Sequence, residues 1–282
     1  MNLIIASNSD SASINLRERL LEMSSWKKCG THDNNDMWEL TETSGDFCVR
    51  GTRLISINQI HIHAEQIDEI FEKEHNTKID NIIFLSRHKA ASGKPSLTVH
   101  PIGNWGKADY GGNEGEITPA SPTIMTSLLR EIKENQLKGF DVCFEATHHG
   151  PLLKTPTIFL EIGSTKNEWE DKIPAKALIK SLLNVKYIEG KSVLGIGGGH
   201  YTPRFTEAAL THKVSFGHIV ANYGVPNLTE EMVLMAIEAG KSQGIYFHKK
   251  GMKKSEYRKW KLWAEKNQID VFKQSDYEPL NT

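Results

Sequence analysis

Asn81-Ile82-Ile83-Phe84-Leu85-Ser86 is the stretch that decides the fold. Four large apolar residues follow one another without a polar break. A strand with one wet face alternates apolar and polar, so this run reads as a strand covered on both sides. Working outward, further strand-like runs are expected over 3–6, 53–57, 97–100, 141–147, 157–162, 192–196, 214–221 and 245–248. Helix-period stretches separate them. Ser13 is expected to cap a helix carrying Ile14, Leu16, Leu20, Leu21 and Met23. Others are expected over 64–74, 122–138, 169–183, 205–211, 229–239 (capped by Thr229, ended by Gly240) and 254–266. Residues 24–50, with Trp26 and Trp38 beside turn signals, read as short strands and loops. Alternation of strands and helices predicts an α/β layered fold with a mixed, mostly parallel central sheet flanked by helices. No repeat or low-complexity linker divides the 282 residues, so a single domain over 1–282 is expected, with a loop-rich excursion near 88–120. A loop region that long is usually functional.

The formal net charge of −1 gives no global attraction to nucleic acid, so any such binding needs a local patch. Three cysteines, Cys29, Cys48 and Cys143, form no CxxC pair and are odd in number, which fits a reducing cytosol. The first apolar stretch is too short for a signal peptide, and no run is long enough to span a membrane. A cytoplasmic protein without membrane contact is expected.

Twelve histidines are present, and the informative ones cluster on three Gly-flanked segments. In Glu145-Ala146-Thr147-His148-His149-Gly150-Pro151, a continuing strand puts Glu145, Thr147 and His149 on one face and His148 on the other. An ionised Glu145 inside an apolar strand is costly without a metal, histidinium or arginine partner. Ile196-Gly197-Gly198-Gly199-His200-Tyr201 lacks the register of a phosphate-binding glycine loop. It reads as an oxyanion or terminal-adenosine pocket rimmed by His200, or as a plain structural turn; Arg204 beyond it suits a phosphate or carboxylate. His88 and His100 bracket a third segment, where Lys89 and Lys94 suit phosphate and Ser96 and Thr98 can donate hydrogen bonds. His61 and His63 lack the Asp-His pair of a metallo-hydrolase HxHxDH motif, and neither a nucleophile elbow nor HExxH occurs. The inventory therefore favours an activated water over a covalent serine. Near the end, Lys249 to Lys266 interleave with Tyr257, Trp260 and Trp263, reading either as a contact for an RNA backbone or as a solvated helix packing its aromatic side inward.

Leu97-Thr98-Val99-His100-Pro101 with Gly103-Asn104, then Ile162-Gly163-Ser164-Thr165 with Trp169, together with the Glu145–Pro151 and Gly197-Gly198-Gly199-His200-Tyr201-Thr202-Pro203-Arg204-Phe205-Thr206 segments, resemble the archaeal and plant type of D-aminoacyl-tRNA deacylase over nearly the whole chain. The resemblance implies hydrolysis of the ester between a D-amino acid and the tRNA 3′ end, a fold related to peptidyl-tRNA hydrolase and nucleoside phosphorylases, Zn²⁺ dependence and a monomer. It places metal ligands on His88, His100, Glu145, His148, His149 and His200. In that reading Glu145 or His149 is the general base, His200 protonates the leaving ribose oxygen, and the metal or the amides of Gly197, Gly198 and Gly199 meet the oxyanion. Lys89, Ser96, Thr98 and Arg204 contact substrate, and pocket shape reads chirality. Two rivals are a nucleoside-acting phosphorylase or hydrolase and a non-enzymatic tRNA-binding protein.

Overall fold

The apolar run becomes β5 (Asn81–Arg87), a central strand of an eight-stranded sheet in the computed structural model, which describes residues 1–280. The sheet order is β2 (Trp26–His32), β3 (Asn35–Leu40), β4 (Arg53–Ile57), β1 (Asn2–Ser7), β5, β8 (Thr157–Gly163), β6 (Ser96–Pro101) and β7 (Asp141–Phe144). Strands β4, β1, β5 and β8 run parallel, as do β6 and β7, while β8–β6, β3–β4 and the β2–β3 hairpin are antiparallel. Asp33 and Asn34 close the hairpin with positive φ, as a tight primed turn demands.

The chain builds a second sheet besides the central one. Strands β10 (Val214–Val220), β9 (Lys191–Ile196), β11 (Gly244–Phe247) and β12 (Asp270–Phe272) all pair in parallel. Strand β12 was not anticipated; three residues ending in a charged turn carry little periodicity. The two sheets share a core in which Val193, Phe216 and Tyr246 join Ile83, Leu85 and Leu160. Helix α3 (Pro122–Glu134) reaches across: its buried Arg130 donates to the carbonyls of Ala209, His212 and Val214. The remaining helices are α1 (Ser11–Met23), α2 (Ile67–His75), α4 (Lys166–Glu170), α5 (Lys172–Asn184), α6 (Pro203–Thr211), α7 (Glu230–Ala239) and α8 (Lys254–Lys266). The one helix expected over 169–183 is two, started separately by the side chains of Thr165 and Asp171.

Ser13 is not the cap of α1. Asp10 is: its carboxylate accepts from the amides of Ala12 and Ser13 at 2.9 and 3.2 Å, and its second oxygen accepts from the Arg87 amide at 3.1 Å. Ser13 Oγ instead accepts from the Ser7 amide. Asp10 thus ties the start of α1 to the end of β5. Replacing Asp10 by Ala is expected to lower stability by about 2–4 kcal/mol, a lost cap plus an unpaired amide, read as a lower urea midpoint at unchanged m; Asp10→Asn is expected to lose less. An Ala variant as stable as the parent would contradict this role.

Candidate active site

Strand register gathers the site on one face of the central sheet. Glu161 on β8 lies opposite Ser86 on β5 and Thr98 on β6, and Thr98 lies opposite Cys143 on β7. Side chains two residues on share that face. His88 after β5, His100 on β6 and Glu145 after β7 therefore come to the same side as Glu161. Strand β7 ends at Phe144, three residues earlier than the sequence suggests. The cause lies in the second sheet. Thr147 donates its amide to the Ile219 carbonyl and accepts from the Ile219 amide on Oγ1, so the chain turns towards β10. That turn brings both His148 and His149 to the cluster, correcting the expected split between faces.

Glu145 is fully buried. Its Oε1 lies 3.0 Å from His88 Nδ1, and its Oε2 lies 2.9 Å from His200 Nε2 and 3.6 Å from His148 Nε2. Glu161 Oε2 stands 3.6 Å from His100 Nε2 and 3.7 Å from His88 Nδ1. Two tyrosines finish the shell: the Tyr201 hydroxyl meets His88 Nε2 at 2.9 Å, and the Tyr223 hydroxyl meets His200 Nδ1 at 3.1 Å.

Burial opposes charge throughout the cluster, and the carboxylates decide where charge survives. Burial disfavours the His88 cation, but Glu145 and Glu161 outweigh it and raise its pKa to about 11. His100 is raised by the same contest, with Glu161 as its main partner. Burial would raise both carboxyls, yet His200 and His88 hold Glu145 well below the usual range, and His100 and His88 bring Glu161 to about 2. Burial, with His100 nearby, drives His148 far down and His149 to about 3.

The donor set fits a metal ion. His100, His148 and His149 each donate Nδ1–H to a backbone carbonyl, at Pro101 (3.1 Å), Ala146 (2.8 Å) and Gly150 (2.6 Å). In the neutral ring such bonds fix the tautomer and leave Nε2 as a lone-pair donor, the outer-shell arrangement typical of metal-binding imidazoles; at His100 a metal would displace the proton that Glu161 favours. Their candidate ligand atoms lie within 4.8 Å of one another, as do those of His88, Glu145 and His200, and those of His100, Glu145 and Glu161. His100 Nε2 is buried with no hydrogen-bond partner.

A cavity of about 650 Å³ opens onto His88, His148, His149, Glu161 and His200. The excursion builds its far wall: Asn104 Nδ2 donates to the Gly111 carbonyl, and the Gly150 amide donates to the Tyr110 carbonyl. Exposed Lys89 lies at the rim. Ser96 and Thr98 are buried on the same face but do not line this cavity; Ser96 borders a separate one beside Tyr201. Gly197 and Gly198 are spoken for: their amides donate to the carbonyls of Val220 and Gly251, so neither is available to an oxyanion or phosphate. Gly199 is left facing open space. Arg204 points away, pairing with Glu207 at 3.2 Å. Glu161 was missed, although its signal matches that of Glu145: a carboxylate inside the run Ile158-Phe159-Leu160-Glu161-Ile162. His61, buried 3.9 Å from Asp10, lines the cavity floor without joining the cluster.

An α/β scaffold that sinks paired carboxylates under a ring of imidazoles, open to a cavity, defines a site of the hydrolytic class. A family model described as D-aminoacyl-tRNA deacylase matches residues 75–272. A Pyrococcus furiosus protein named D-aminoacyl-tRNA deacylase is 35% identical over 257 residues, covering 89% of this chain and 92% of that one. A Thermococcus kodakarensis protein of the same name is 36% identical over 261 residues, covering 90% and 92%. A crystal structure of a conserved protein of unknown function, AF0625, superimposes with a TM-score of 0.88 at 28% identity, covering 99% of this chain and 98% of that one. The chain belongs to the D-aminoacyl-tRNA deacylase family.

In metal-free protein at pH 7 the two extremes of the cluster are separable. Nitrogen-15 chemical shifts are expected to show His88 as imidazolium, because its pKa is raised to about 11, and His149 as neutral imidazole, because its pKa is lowered to about 3. The reverse pattern would contradict the charge assignment.

Proposed function

We propose that the chain hydrolyses the ester linking a D-amino acid to the 3′ end of tRNA, a proofreading step of translation, with Zn²⁺ held by His100, His148 and His149. The observation that carries this reading is the convergence of three Nδ1-anchored imidazoles beside the Glu145–His200 pair at one cavity. When bound, the metal supplies Lewis-acid polarisation of the ester carbonyl and lowers the pKa of water towards about 7.

The chain's own groups do the rest. Glu145 is too deep to reach substrate, so its role shifts from general base to support: it holds His200 by Nε2 and orients the ring. That leaves His200 Nδ1 as the atom exchanging protons at the cavity, where the Tyr223 hydroxyl now lies 3.1 Å away. His200 takes a proton as water adds to the carbonyl carbon. It returns the proton to the ribose oxygen as the carbon–oxygen bond breaks, giving free amino acid and tRNA. The side-chain wall facing the cluster is set by Asn104, Trp105, Tyr110 and Asn227, and in this reading its shape discriminates a D from an L side chain. One hydrophobic cluster spans both sheets, which supports folding as a single domain over 1–282. Among the described residues no helix is long and apolar enough to cross a membrane. A nucleoside phosphorylase reading is disfavoured because the Gly197 and Gly198 amides are already paired.

Incubation with D- and L-tyrosyl-tRNA tests the chirality directly: D-tyrosine is expected to be released and L-tyrosine retained, and equal release would overturn it. His200→Ala is expected to lower kcat by about 10²–10⁴-fold, with metal content unchanged. Undiminished turnover in that variant would remove His200 from the mechanism.

A further inference from the structure

The basic C-terminal segment settles into a definite shape. Helix α8 turns Trp260 and Trp263 inward, to 0% and 9% exposure, and leaves Lys254, Arg258, Lys259 and Lys266 outside. The aromatic side of this segment packs on the core, as one of the two sequence readings has it, and its cations are left exposed. Between Lys249 and Lys273 nine lysines and arginines face three acids, in a chain whose net charge is −1. Beside α8, past the carboxyl end of β11 and along the edge strand β12, lies an open groove of about 1220 Å³ bordered by Arg204, Lys249, Lys250, Lys261 and Lys273. Lys261 is engaged by Glu265 at 2.5 Å, and Lys249 sits over the Tyr257 ring at 5.3 Å.

This groove and the histidine cavity share no lining residue, yet one segment joins them. His200 faces Glu145 and Arg204 borders the groove, with three residues of chain between them, so their Cα atoms lie at most about 14 Å apart. The join is rigid. The Gly198 amide donates to the Gly251 carbonyl, and a side chain at Gly197 or Gly198 would strike Met252 or His248. A polyanion ending at His200 finds this groove as the basic surface within reach along the chain.

We propose that the groove seats the tRNA phosphate backbone next to the 3′ end, through Lys249, Lys250, Lys273 and Arg204. The inference rests on the tRNA reading of the histidine cavity. It gives Arg204 a place in substrate binding outside that cavity. Lysines without a base-reading partner recognise charge, so the groove takes tRNAs irrespective of sequence and leaves discrimination to the amino acid end.

The test compares the full-length chain with the triple variant Lys249→Gln, Lys250→Gln, Lys273→Gln, using uncharged tRNA over a range of salt concentrations. Losing three phosphate contacts is expected to reduce the slope of log K against log salt by about 2–3 and to weaken binding roughly a hundredfold near 0.1 M salt. Hydrolysis of D-tyrosyl-adenosine, too small to reach the groove, is expected to be unchanged, which shows the fold and cavity intact. An unchanged slope and Kd would overturn the proposal, as would an equal loss on D-tyrosyl-adenosine. Retained tRNA binding with lost binding to phosphatidylserine vesicles would also overturn it, in favour of a membrane surface. A parent protein that cleaves neither ester would sink the deacylase reading, while the uncharged-tRNA arm still decides the groove.

Discussion

Two carboxylates buried in an apolar sheet set the terms for this protein. Glu145 and Glu161 carry no more than 2% exposure each, and an ionised carboxylate in such a place costs several kcal/mol unless partners surround it. His88 answers both, His100 answers Glu161, and His200 answers Glu145. Removing one partner would leave a charge stranded, so the cluster holds together as a unit. Its geometry is inherited from strand register, which stacks Ser86, Thr98 and Glu161 across three strands and makes His88, His100 and Glu145 their neighbours.

The second sheet contributes as much as the first. Strand β7 stops because Thr147 bonds to Ile219 of β10, and the turn that follows delivers His148 and His149. Strand β9 ends in glycines whose amides are locked to Val220 and Gly251, and that lock presents His200 to Glu145. The site is a seam between two parallel-rich sheets. The same seam carries the chain from His200 to Arg204 and so joins the histidine cavity to the basic groove.

Much of this was legible in the sequence. The unbroken run 82–85 signalled a doubly covered strand, and the strand at Arg53–Ile57 and the helix at Lys254–Lys266 fall where apolar periodicity puts them. His88, His100, Glu145, His148, His149 and His200 do converge. What escaped were effects of tertiary contact. Asp10 caps α1 through local amides, while its tie to the Arg87 amide at the end of β5 is distant in sequence. Whether residues 145–147 continue a strand depends on Ile219. The glycine amides looked free for an oxyanion because their partners come from β10 and the turn after β11. Glu161 alone was readable and overlooked, hidden in a run whose other members simply fill the core.

The central claim is that the imidazoles anchored through Nδ1 hold a zinc ion on which ester hydrolysis depends, with His200 moving the proton. The most direct measurement is a titration of Zn²⁺ into chelator-stripped protein, following bound metal and D-tyrosyl-tRNA hydrolysis in the same samples. Hydrolysis is expected to be absent without metal and to rise in proportion to bound Zn²⁺ until the site fills. Full hydrolysis by demonstrably metal-free protein would contradict the account.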